Sequence, residues 1–138
     1  MISVTDFVSL PKTDAHNHLN LGMRYASYVP WAGFYIPDFP RKMSGLEEMH
    51  DVIGMYTRTR TRTAKDVQDL ITLSIQDAIA DGVTILEGSV DISFVHNCSN
   101  NIDSFLSMIE KLKSKFSNSI NFIPELGMGK TFDKAKIK

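Results

Sequence analysis

The chain has 138 residues, 43% of them hydrophobic and 22% charged, an ordinary globular composition. Its net charge of -1 gives no general electrostatic reason to expect nucleic acid or a membrane surface as partner, and no apolar run approaches the ~18 residues a membrane span needs. The single cysteine, Cys98, excludes an intrachain disulfide, and Met1-Ile2-Ser3-Val4-Thr5-Asp6 lacks the form of a signal peptide, so the sequence predicts a soluble, cytoplasmic protein.

Residues 3–9 read as a lead-in turn or helix in which Phe7 and Val8 cover the floor of the fold. A first strand is expected over about 12–17. Residues 19–43 follow no clear period, and their prolines and glycines forbid a long helix. They are nevertheless the most aromatic part of the chain, with Tyr25, Tyr28, Trp31, Phe34, Tyr35 and Phe39. A loop this apolar either covers a flat substrate or packs against another part of the protein or a neighbouring subunit. Ser44-Gly45-Leu46-Glu47 has the form of a capping box, predicting a helix that turns Leu46, Met49, Ile53 and Tyr56 inward. Arg58, Arg60 and Arg62 alternate with threonines at 57–63. Three arginines suit a phosphate, but without net basic charge a solvated connection between helices is the better reading.

The clearest helix covers about 64–81, where Val67, Leu70, Ile71, Ser74, Ile75, Ala78 and Ile79 form one face and Gly82 supplies a left-handed stop. Residues 83–90 are β-branched and apolar enough for a strand buried on both faces of a parallel sheet. A helix at about 101–116, capped by Asn100 or Asn101, turns Ile102, Phe105, Leu106, Ile109, Leu112 and Phe116 inward. A third strand at 120–126, a turn through Gly127 and Gly129, and the start of another helix at 131–138 complete the chain. This alternation predicts an α/β fold with a parallel sheet built from about three βα units.

In such folds the working residues gather at the C-terminal ends of strands. His16 and His18 stand there at i and i+2, on one face of the first strand, where two imidazoles can grip one divalent cation or serve as ordinary polar residues. Asp14 is two residues earlier, placed to orient an imidazole or simply to mark the strand start. Glu87 to Asp91 and His96 follow the second strand, and Glu125 and Lys130 the third. Glu87 and Glu125 sit in apolar runs, which predicts a partner for each, most simply an ion pair. His96 reads as a loop histidine and His50 as a surface one.

Leu10-Pro11-Lys12-x-x-x-His16-x-His18-Leu19 resembles the first strand of adenosine deaminase and its relatives in the metal-dependent amidohydrolase superfamily. Asp81-Gly82-Val83-x-x-x-Glu87 resembles that family's second strand, which extends the likeness diffusely over most of the chain. The resemblance implies a (β/α)8 TIM barrel, which takes about 250 residues, so residues 1–138 would be the N-terminal part of one barrel domain. It makes residues 19–43 an aromatic active-site loop, and His16 and His18 ligands of one divalent metal, most simply zinc, with Asp14 behind them. The family's other ligands and its catalytic acid and base come from later strands, so they are expected beyond residue 138, and the piece alone is expected to be inactive without the C-terminal part of the barrel. The implied reaction is hydrolytic deamination of an aminopurine nucleoside or base by metal-activated water. Where the family carries an acidic residue that touches the sugar, this chain has Asn20, whose amide can still hydrogen-bond a hydroxyl. Two other readings remain. A barrel-type phosphoesterase or DNase shares Asp-x-His-x-His and would use the arginines at 58–62. A non-catalytic βα domain would bind a partner through its aromatic loop.

Overall fold

The computed structural model describes residue 7, residues 10–35 and residues 42–129, with the side chains of residues 57–59 outside that description. Most of the lead-in at 3–9, Phe39, Lys130, the helix start at 131–138 and the Arg58 side chain therefore lie outside the described residues; Phe7 is exposed.

Three strands form one parallel sheet: β1 (Lys12–His18), β2 (Val83–Asp91) and β3 (Asn121–Gly127), with β2 in the centre. Helices α1 (Tyr25–Ala32), α2 (Leu46–Arg60) and α3 (Ala64–Ala80) connect β1 to β2, and a 3-10 helix (Ile92–Cys98) and α4 (Ile102–Phe116) connect β2 to β3. Val67, Ile71, Ile75 and Ala78 of α3 and Phe105, Met108, Ile109, Leu112 and Phe116 of α4 bury Leu86 and Val90 of β2 and Phe122 of β3 against one side of the sheet. The opposite side is open among the described residues. Ile85 and Ile123 are each more than a third exposed there, whereas the apolar run of β2 had predicted burial on both faces.

The caps explain where the helices begin. Thr63 and Asp66 form a reciprocal capping box at α3: Asp66 N donates to Thr63 Oγ1 (3.2 Å) and Thr63 N to Asp66 Oδ2 (2.9 Å). Asn101 caps α4, its Oδ1 accepting from Ser104 N at 2.8 Å. Gly82 takes a left-handed φ of 78°, the stop expected after α3. At α2 the cap is displaced by one residue: Ser44 N and Oγ both donate to Glu48 Oε2 at 2.6 Å, in place of the expected Glu47. Leu46 then points into solvent, while Met49, Ile53 and Tyr56 are half-buried. On α4, Leu106 is likewise exposed and Met108 takes the inward place.

Two further features were not expected. Within 19–43 an eight-residue helix, α1, carries Pro30 inside it. Its own sequence holds it poorly, and contacts to α3 replace what proline removes. Asp77 of α3 accepts Arg24 N (2.7 Å) and Ser27 Oγ (2.8 Å) at its start, and Tyr28 and Ala32 are buried against Leu70. Second, Arg60 is no solvated connector. It pairs with the buried Asp66 (2.6 Å) and lies 4.4 Å over the Trp31 ring, because α2 runs on to Arg60 and ends beside α3.

Candidate metal centre

The C-terminal end of β1 is shaped by a bulge. Asp14 pairs with Leu86 and Asn17 with Gly88, three residue steps on β1 against two on β2. Asp14 brackets that bulge: Oδ1 accepts from His16 N (3.3 Å) and Oδ2 from Asn17 Nδ2 (2.7 Å). Its carboxylate is thus joined to backbone and amide, and among the described residues it bonds neither imidazole. Asn17 lies over Gly22, where a Cβ would come within 2.0 Å of Oδ1.

The bulge sends Asn17 and Leu19 to the helix-covered side and leaves both histidines on the open side. Leu19 is fully buried and held from three directions. Its N–H donates to Ser89 O (3.0 Å), its carbonyl accepts from Ser74 Oγ of α3 (2.6 Å), and its side chain fills the space that Gly88 leaves, where a Cβ would be 2.6 Å away. Leu21 N returns to His18 O (2.8 Å), closing a turn that holds Asn20 half-buried two residues beyond His18.

His16 Nε2 and His18 Nε2 converge to 3.2 Å, with their rings perpendicular. Two nitrogens ligating one tetrahedral cation at ~2.0–2.1 Å lie about 3.3 Å apart, so the pair has the bite such an ion requires. Neutral imidazole suits zinc and its first-row neighbours. No group of three or more histidine, cysteine, aspartate or glutamate side chains converges as a metal cage among the described residues. The described chain therefore offers two donors of a set that in catalytic zinc sites numbers three, leaving room for further ligands and water.

The remaining candidates divide. Ser89 pairs with His18 on one side and Glu125 on the other, so the three stand in one row across the open face. Glu87 lies one layer below, opposite Ile123. The ion pairs expected for Glu87 and Glu125 are absent among the described residues, because both carboxylates sit on the open face, half-buried and exposed respectively, where solvation costs little. Asp91 instead caps the 3-10 helix, accepting from Ser93 N (2.8 Å). His96 is exposed and bonded to Ser93 O, a loop histidine as expected, and His50 is exposed on α2. The roles of Ser74 and Asp77 do not follow from the helical period, which places Ser74 only within an apolar face. A hydroxyl in the middle of that face was the available signal.

The resemblance of the histidine-bearing strand to adenosine deaminases has a counterpart in a curated relative. The chain is 45% identical over all 138 residues to a protein of Treponema pallidum (strain Nichols) named putative adenosine/adenine deaminase. It spans 46% of that relative's length. No family model matches the chain. No helix among the described residues is long and apolar enough to cross a membrane.

Proposed function

We propose that these residues form part of a metal-dependent hydrolytic deaminase acting on an aminopurine nucleoside or base. The observation that carries this reading is the 3.2 Å convergence of His16 and His18 Nε2 at a strand end, in a chain whose relative bears a deaminase name. His16 and His18 would hold one divalent cation, most simply zinc. When bound, such a cation supplies acidified water and Lewis-acid stabilisation. Leu19, locked by Ser74 and Ser89, fixes the direction of His18, and the turn that follows presents Asn20 to hydrogen-bond a substrate hydroxyl or ring nitrogen. Tyr25, Phe34 and Tyr35 keep exposed rings in the stretch that follows, suited to covering a flat base. The other ligands and the acid–base groups would come from sequence outside these 138 residues, on later strands of a (β/α)8 barrel closing the open face.

The phosphoesterase reading loses support, since Arg60 is committed to Asp66 and Trp31. The test is ammonia release from adenosine and from adenine by the intact natural protein, before and after chelation and on zinc return. Metal-dependent release from either substrate is expected. Turnover of phosphate esters but not of aminopurines would replace the reading with the phosphoesterase, and a metal-free protein inert to both would leave the non-catalytic binding domain.

A further inference from the structure

We infer that Glu125 is a substrate-contacting residue, accepting a hydrogen bond from an N–H or O–H of a ligand seated at the histidine pair. This rests on the deaminase reading. Parallel strands place partnered residues in rows, and His18, Ser89 and Glu125 share one row on the face opposite the core. Leu86 and Phe122, three residues before Ser89 and Glu125, are buried on the other side, which fixes the parity of both strands. With strands ~4.8 Å apart, Glu125 stands about 10 Å from His18 across the sheet, a span that a purine base with an attached sugar bridges.

Between them Ser89 leans toward β3: a Cβ at Gly127 would lie 2.7 Å from Ser89 Oγ, so the glycine makes room for the hydroxyl. The row thus runs imidazole, hydroxyl, carboxylate, one row above Glu87 and Ile123. Glutamate is a poor strand former, and Pro124 and Leu126 flank it. No ion pair or hydrogen bond occupies its carboxylate among the described residues. A carboxylate held in a strand about 10 Å across the sheet from the histidine pair, with both oxygens available, is an acceptor for a donor-bearing ligand that spans the row.

The experiment compares the intact natural protein with Glu125→Gln and Glu125→Ala, measuring kcat and KM for adenosine and for adenine, metal content and thermal midpoint. Loss of a hydrogen bond to a charged acceptor should raise KM ~10-fold or more in the alanine variant, with a smaller rise for glutamine and full metal content in both. A rise for adenosine alone assigns the contact to the sugar; a rise for both substrates assigns it to the base. Unchanged KM in both variants overturns the inference while leaving the deaminase reading intact. So does metal loss in step with activity, or failure of both variants to fold, since Glu125 would then serve the cation or the fold. A wild-type protein that turns over neither substrate overturns the deaminase reading, and the inference falls with it.

Discussion

One extra residue in β1 accompanies the two imidazoles, and Asp14 spans that bulge by accepting from His16 N and the Asn17 amide. Replacing His16 or His18 with alanine should abolish stoichiometric metal binding, a larger loss than the ~10–100-fold that removing an outer partner costs. Metal analysis of the purified variants checks this, and a variant that keeps its metal would sink the ligand assignment. A different residue governs acid stability. Burial pushes the Asp66 carboxyl up. The Arg62 N–H, the Thr63 hydroxyl and N–H and the Arg60 guanidinium outweigh it and bring the pKa from 3.8 down to about 2. A carboxyl lowered on folding stabilises the protein when ionised, so its contribution is present above pH ~4 and is lost as pH falls from about 4 towards 2. Asp66→Asn should therefore lower the thermal midpoint at pH 7 and flatten its fall below pH 4. Midpoints recorded from pH 7 to 2.5 test both halves of that statement.

At the scale of elements, α3 is the spine that positions the β1 exit. Along it Asp69 receives Trp31 Nε1 (3.3 Å), Ser74 donates to Leu19 O, and Asp77 caps α1. Lys12, at the far end of β1, donates to Asp81 O at 2.7 Å and so ties the strand start to the end of the same helix. The lysine of the Leu-Pro-Lys lead is thus explained by helix capping, a full strand length away from the histidines. Ser74→Ala should cost about 1–3 kcal/mol, because it strips the partner from a buried carbonyl, and urea unfolding measures it. Gly88→Ala should cost a similar ~1–3 kcal/mol by overpacking, since the fully buried Leu19 cannot yield to a Cβ 2.6 Å away. A Gly88→Ala protein as stable as wild type would mean that Leu19 can move, and that His18 is less firmly aimed than its surroundings imply.

At the scale of the whole molecule, the helices cover one side of the sheet and leave Ile85 and Ile123 exposed on the other among the described residues. Such a surface, with β1 and β3 at the outer positions, favours association. Produced alone, the 138 residues should self-associate in size-exclusion chromatography and release no ammonia from adenosine or adenine even with added zinc. Turnover by this chain alone would require every ligand to lie within it.

The order of the three strands, the inward face of α3, that of α4 except for Leu106 and Met108, a cap at Asn100 or Asn101, the Gly82 stop and the shared face of His16 and His18 were legible in the sequence. Each rests on contacts a few residues apart: a period of 3.6 or 2, a side chain reaching the next turn, a glycine free to take positive φ. Tertiary structure alone decided the rest. Arg60 is paired rather than solvated because Trp31 and Asp66 meet it from two other helices. A proline-bearing segment became α1 because Asp77 caps it from 53 residues away. The row His18–Ser89–Glu125 exists only through strand register. No local pattern encodes these, because their energy comes from groups that folding brings together across long stretches of chain.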